Sequence, residues 1–359
     1  MSGPRIAIVG VGLIGGSLAI AARERLGATV TGWDADPEVL AAGLRRGVID
    51  RATGSVADAV QGAQAAFAAV PVGGLAATVA EILAHAPPDC VVSDVGSTKR
   101  ALVDAQDDPR FVGGHPLAGA ETSGVEHARG DLFEGAVWYL TPSERASGVL
   151  YERLHRLLHG LGARPCAIDA SVHDRFLAAV SHLPHVIANV LVGLAASIPG
   201  DGHEMLPATG PSFRDATRVA GAPSDVWTDI YLANADALIG EIDRAVQALG
   251  EVRRELAAGD ATAIRAWNEA AAQARRRLHA GGAAGEGLIE LRAAVPNRPG
   301  VIAQLALRLG RSGVNIADLA LYPAADMSEG VVALWVAGEA DAERALAEVA
   351  ALGFPVARA

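Results

Sequence analysis

Short apolar runs recur through the first half of the chain, each followed by an Ala-rich stretch with helical spacing. They are RIAIVG (5–10), ATVTGWD (28–34), AAFAAV (65–70), CVVSDV (90–95), RFVGGH (110–115), AVWYLT (136–141) and ARPCAI (163–168). Strands apolar on both faces and separated by helices predict a parallel sheet covered on both sides, the doubly wound α/β class. From Ser171 to about Leu278 the strand pattern stops. SVHDRFLAAVSHLPHVIANVLVGLAASI reads as one long helix, followed by two more over 225–259 and 260–280. A helix apolar on most sides needs a core or a partner chain, and this segment is short, so burial by dimerisation is expected. HAGGAAGEG (279–287) reads as a flexible linker. Beyond it strand and helix patterns follow in the order βαββαβ, a small unit with its own sheet. The pattern predicts three domains: 1–169 doubly wound, 170–280 all-helical, and 287–359 the βαββαβ unit.

Composition narrows the class. Of the 359 residues, 51% are hydrophobic, which excludes disorder, and no run approaches the apolar length of a membrane span. No charged segment precedes a long apolar stretch at the start, so a cytoplasmic protein is expected. Cys90 and Cys166 lie in apolar strand-like runs and read as buried thiols. A net charge of −11 disfavours nucleic acid as a partner. Lys99 is the only lysine among 30 basic residues, so a compact ammonium is a candidate functional choice there.

Gly10-Val11-Gly12-Leu13-Ile14-Gly15 is G-x-G-x-x-G, and it sits between a strand and a helix. The first Gly allows a tight turn, the second lets backbone approach a pyrophosphate, and the third lets the helix pack on the sheet. Asp34 ends the second strand, where a carboxylate can hydrogen-bond the adenosine ribose and repel a 2′-phosphate. The reading is therefore NAD rather than NADP, with Leu13, Ile14 and Val70 also against the cofactor. Ser97, in SDVGSTKRAL, lies past the carboxyl end of a strand, where such sheets bind ligands. It or Thr98 would also serve as an N-cap for the following helix. His115 ends the strand RFVGGH. The Gly pair before it permits close backbone approach, and an imidazole beside a nicotinamide can accept a hydroxyl proton as hydride leaves the same carbon.

A substrate with carboxylates would need cations among apolar walls. Arg214 and Arg218 are four apart, predicting one helical face, and guanidinium forks match carboxylates. Asp174, Ser181 and His185 are spaced to share a face of the long apolar helix, which Pro184 should kink. A metal site from His173, His182 and His185 is a poor alternative, so no metal is expected. Glu121 is placed to gate the pocket.

The stretches GVGLIGGS (10–17), DVGSTK (94–99), GGHPLAGAETSGVE (113–126), HDRFLAAVSHLPH (173–185) and FRDATRVA (213–220), with Trp227 beyond, resemble the prephenate/arogenate dehydrogenase family of tyrosine biosynthesis. The resemblance implies NAD-dependent oxidative decarboxylation of prephenate to 4-hydroxyphenylpyruvate. It makes His115 the base and places Ser97 near the C4 hydroxyl and the nicotinamide. It puts Arg218 on the ring carboxylate, Asp174 orienting Arg218, and His185 near the substrate side chain. Ala120 stands where relatives often carry Thr, and Pro211-Ser212 where they often carry Gly-Gly, which bears on substrate preference. Asn297-Arg298-Pro299-Gly300 ends the first strand of the tail and opens a helix, where free backbone N–H groups can take a carboxylate, and the Asn315 amide can hold an α-amino or carboxylate group. PNRPGVIAQLA and SGVNIADL resemble the ACT module, which implies that the ligand is an amino-acid effector such as tyrosine. A homodimer is expected. The alternatives are an arogenate dehydrogenase, another NAD-dependent dehydrogenase with a helical dimer domain, and a non-catalytic sensor of NAD and amino acids.

Overall fold

The computed structural model describes residues 3–119, 122–198, 209–280, 288–324 and 329–359. The N-terminal strands are β1 (Arg5–Val9), β2 (Thr29–Trp33), β3 (Arg51–Ala52), β4 (Ala65–Ala68), β5 (Val91–Asp94), β6 (Phe111–Pro116), β7 (Val137–Pro142) and β8 (Arg164–Ala167). Between them run α1 (Leu13–Leu26), α2 (Pro37–Arg45), α3 (Val56–Val60), α4 (Val72–His85), α5 (Arg100–Asp104) and α6 (Gly148–Gly160). Local chemistry sets the starts: Asp36 accepts from Glu38 N at the head of α2, and Ser55 from Asp58 N at the head of α3. All seven strands read from the sequence are present, and the two-residue β3 is added.

The sheet order is β3-β2-β1-β4-β5-β6-β7-β8. Sequence order reverses between β1 and β4, the switch point at which such sheets bind ligands. The sheet is not wholly parallel: β7 runs antiparallel to β6, with His115 opposite Tyr139, and β8 runs parallel to β7. Among the described residues between β6 and β7 there is a 3₁₀ turn (Val125–His127) but no crossover helix, so a parallel return is not enforced there. Ile6, Ile8, Phe67 and Trp138 are fully buried on the strands. Cys90 is buried, and burial pushes its thiol up to about 12; Cys166, expected to be buried, is half-buried.

Next come α7 (Ala170–Leu177), a π-helical turn (Ala178–His182) and α8 (Leu183–Ala196). The wide turn stands just before Pro184, where the ring removes the bond to the carbonyl of Val180. It adds a residue to the turn, so the 3.6-residue spacing that was to align Asp174, Ser181 and His185 does not carry through. Contrary to the composition reading, Ala170–Ala196 is long and apolar enough to cross a membrane by length and composition. After α9 (Pro211–Thr217) the chain forms a 3₁₀ turn (Arg218–Gly221), then α10 (Ser224–Ala233), α11 (Ala235–Ala258) and α12 (Ala261–Ala280). The single helix expected over 225–259 is broken at Asn234, whose φ is −122°. Residues 281–287 of the predicted linker lie outside the described residues.

The C-terminal elements are β9 (Leu288–Pro296), α13 (Val301–Arg311), β10 (Ile316–Pro323), β11 (Glu329–Ala337), α14 (Gly338–Ala351) and β12 (Val356–Arg358), in the predicted βαββαβ order. Their antiparallel sheet has the order β10-β11-β9-β12. By internal contacts the chain forms two units. One comprises Met1–Asp174, Ala222–Ala233 and Leu288–Ala359, and the other Arg175–Gly221 and Asn234–Gly287. Within the first unit the C-terminal elements pack directly on the large sheet. Gly300 N donates to Ala146 O at 3.1 Å, Arg311 pairs with Asp169 at 2.7 Å, and β10 lies beside α6 and β8.

Candidate active site

The glycine loop has the geometry of a dinucleotide cradle. Gly10 has φ +97°, and a Cβ there would come within 2.4 Å of Ala69 O. A Cβ at Gly15 would strike Gly10 O at 1.9 Å, so this glycine is what lets α1 start against the turn. At Gly12, the N-cap of α1, an added Cβ meets nothing within 4 Å. The first and third glycines answer to the fold, and the second leaves open space at a helix N-terminus, where free N–H groups and the dipole favour phosphate. Leu13 and Ile14 are half-buried at the first turn of α1, and Val70 lies beside Gly10. Asp34 accepts from Val11 N at 2.7 Å and from Asp36 N at 2.9 Å, so its carboxylate is tied to the same loop.

His115 is 8% exposed at the end of β6. Its Nδ1 lies 2.9 Å from Nε2 of His173 on α7, and His173 Nδ1 lies 2.8 Å from Asp174 Oδ1. Asp174 also accepts from Lys99 N at 2.8 Å and Arg100 N at 2.9 Å. The head of α5 is therefore capped by a carboxylate from a distant helix, not by Ser97 or Thr98, and Lys99 occupies the N-cap position. Ser97 is half-buried in the turn after β5. Burial lowers the His173 pKa against the opposing pull of Asp174.

Lys99 is fully buried and pairs with Asp94. Desolvation lowers its pKa, and the adjacent Asp94 carboxylate opposes that. Asp94 further accepts from Gly96 N at 2.8 Å and from Gly114 N at 3.0 Å, so the pair clamps β6 one residue before His115. The Gly pair is explained by crowding. A Cβ at Gly113 would lie 2.3 Å from Thr141 Oγ1, and one at Gly114 would lie 2.5 Å from Asp94 O.

In the helical unit, Arg214 is exposed and donates to Thr209 O at 2.7 Å. Arg214 lies on α9, which ends at Thr217, and Arg218 follows with helical backbone (φ −50°, ψ −40°) as the first residue of the 3₁₀ turn. His185 is buried on α8, with Asn189 Nδ2 3.2 Å from its Nδ1 and a hydrogen bond to the backbone of Val219. Burial lowers its pKa. His185 is thus joined to the turn that begins with Arg218. Glu121 and Ala120 lie outside the described residues.

The chain matches two family profiles, "Prephenate dehydrogenase, nucleotide-binding domain" over residues 18–166 and "Prephenate dehydrogenase, dimerization domain" over 169–269. It is 31% identical over 350 residues to prephenate dehydrogenase of Bacillus subtilis (strain 168), covering 95% of this chain and 94% of that protein. The chain belongs to the prephenate dehydrogenase family. Among solved structures of the family it is similar to prephenate dehydrogenase from Aquifex aeolicus in complex with hydroxyphenyl propionate and NAD+. That likeness has a TM-score of 0.73 and 27% identity, over 77% of this chain and 99% of that one. Synechocystis arogenate dehydrogenase follows at TM-score 0.68 and 26% identity, over 76% and 99%.

For a prephenate dehydrogenase family member, the structure brings His115, Ser97 and the glycine loop to the carboxyl ends of one sheet. Arg214, Arg218 and His185 belong to the helical unit. Sequence reading missed His173 and Asp94 as parts of this site. The adjacent His-Asp pair at 173–174 was a visible signal, but its use became clear only once α7 lay against β6. The effector assignment changes too: Gly300, expected to offer a free N–H, spends it on Ala146 O. Asn315 is half-buried just before β10, and Asn297 lines a cavity of about 310 Å³.

Proposed function

We propose that this protein oxidatively decarboxylates prephenate, with His115 as the general base. The observation that carries the reading is the buried, hydrogen-bonded imidazole of His115 at the end of β6, in the same sheet as a glycine loop whose Gly12 leaves room for a pyrophosphate. Gly10, Gly12, Gly15, Leu13, Ile14 and Val70 would hold NAD, with Asp34 toward the adenosine ribose. NAD, when bound, accepts the hydride that leaves the ring carbon bearing the hydroxyl. His115 takes the hydroxyl proton as the carbonyl forms. Loss of CO2 then leaves its electron pair in the ring, which becomes aromatic, and His115 returns the proton to the phenolate oxygen. Ser97 orients the hydroxyl. Arg218, with Arg214 as a second cation, holds carboxylate, and His185 contacts the substrate side chain. Glu121 is kept as a candidate for gating.

Prephenate and arogenate differ at one side-chain position, keto against amino. Steady-state kinetics with both substrates and with NAD and NADP test the reading: prephenate with NAD should give the highest kcat/KM. A preference for arogenate, or equal use of NADP, would overturn the substrate or the Asp34 assignment respectively.

The functional division is 1–169 for cofactor, 170–280 for substrate and pairing, and 287–359 for regulation. Two copies pair through the helical unit. Ile239, Val246, Leu249 and Leu256 recur along α11 as an exposed apolar stripe, and Val190 and Leu194 are exposed on α8. In this pairing the long apolar helix is covered by a partner chain, and the protein is placed in the cytoplasm. In the C-terminal part the effector site is the cavity lined by Asn297, Arg298 and Glu329 with Val149, Ile302 and Leu321. Arg298 offers a fork for a carboxylate, Glu329 an acceptor for an ammonium, and the apolar wall a place for a ring, which suits tyrosine. Calorimetry should show tyrosine binding to the full chain and its loss in Arg298→Ala. Absence of binding by wild type would leave this part a packing module.

A further inference from the structure

The chain of contacts from His115 through His173 to Asp174 has a direction. A carboxylate only accepts hydrogen bonds, and two backbone amides already donate to Asp174. The 2.8 Å contact with His173 Nδ1 therefore places the proton on that nitrogen. A neutral imidazole carries one ring proton, so His173 Nε2 presents a lone pair. Burial favours this neutral form. Facing the lone pair at 2.9 Å, His115 Nδ1 must be the donor. Nε2 of His115 is then the basic nitrogen.

We propose that His173, held by Asp174, is a positioning residue that fixes the tautomer of His115, so that His115 Nε2 is the proton acceptor. The proposal rests on His115 as the base. With the opposite tautomer the nitrogen needed by the substrate would carry a proton and could not accept one. The same contact supports turnover, because the imidazolium formed on His115 keeps its Nδ1–H bonded to an acceptor. Other groups face the pair from the surrounding elements. Tyr139 on β7 stacks edge-on to His173 at 5.6 Å, and the Asp94–Lys99 pair lies on β5 and the head of α5. Lys99 disfavours and Asp94 favours a charged His173.

Three variants separate this role from packing: His173→Ala, His173→Gln and His115→Asn. Glutamine can donate to Asp174 through its amide nitrogen and accept from His115 through its amide oxygen, without titrating. His173→Ala should lower kcat at least about tenfold, while the KM for prephenate and the Kd for NAD stay within about threefold. Its acid limb in kcat/KM should move to lower pH, because the His115 imidazolium loses an acceptor and forms less readily. His173→Gln should recover kcat to within about threefold of wild type. Wild-type kcat in His173→Ala beside an inactive His115→Asn overturns the relay and leaves the base assigned. Equal losses in His173→Ala and His173→Gln, with weakened NAD binding, make His173 a packing residue and overturn the proposal. Wild-type kcat in His115→Asn overturns both readings.

Discussion

Lys99 shows how one buried charge can hold several backbone segments together. Its ammonium is buried against Asp94, and Asp94 in turn holds the amides of Gly96 and Gly114. Burying two charges costs several kcal/mol per ion, which their attraction and added hydrogen bonds offset only while the pair is intact. Removing one partner leaves a buried carboxylate uncompensated. Lys99→Met should therefore destabilise the protein by about 3–5 kcal/mol in denaturant titration. A loss within about 0.5 kcal/mol, the range of an ordinary surface change, would mean that the pair is not closed in solution. The sequence drew attention to this residue because it is the only lysine, but no sequence signal pairs it with Asp94. That pairing depends on the approach of β5, β6 and the head of α5, a tertiary fact.

At the scale of elements, the strands were legible because each is a short apolar run bounded by a glycine, a proline or a helical stretch. The direction of β7 was not, since an antiparallel strand buried on both faces has the same hydrophobic pattern as a parallel one. The π-helical turn was half legible: Pro184 signals a disturbed helix but does not say that the chain widens rather than bends. The glycine loop allows a sharper test, because its glycines answer to different demands. Gly10→Ala must place a Cβ 2.4 Å from a backbone oxygen at a positive φ, so it should unfold or strongly destabilise the domain. Gly12→Ala meets only open space, so its Tm should stay within about 2 °C of wild type while the KM for NAD rises at least about tenfold. Equal Tm losses in the two variants would mean that Gly12 is a folding residue. An unchanged KM would remove the pyrophosphate from that loop.

At the scale of the whole molecule, the tail expected to hang from a linker instead packs on α6 and β8 through close backbone contacts. The βαββαβ order was readable, but the docking was not, because the small residues that permit it, Gly300 and Gly310, resemble ordinary turn and helix glycines in sequence. His155 on α6 is part of that contact. It is 1% exposed, neither ring nitrogen has a hydrogen-bond partner, and the nearest charge is Asp318 on β10 at 3.9 Å. Burial pushes its pKa down to about 4, so the folded state prefers it neutral. Its contribution to stability is complete above the ordinary histidine value and is lost as pH falls from about 6.5 through about 4, because the unfolded chain binds the proton first. His155→Leu should flatten that part of the stability–pH curve, read as Tm against pH. An unchanged slope would assign the acid loss to other groups. The role of His115 in turnover is tested most directly by following NADH and CO2 together from prephenate and NAD with wild type and His115→Asn. Wild type should release one CO2 for each NADH, and His115→Asn should lower kcat by about 10²–10⁴ with NAD affinity near normal. NADH formation by His115→Asn at the wild-type rate, or none by wild type, would contradict the account.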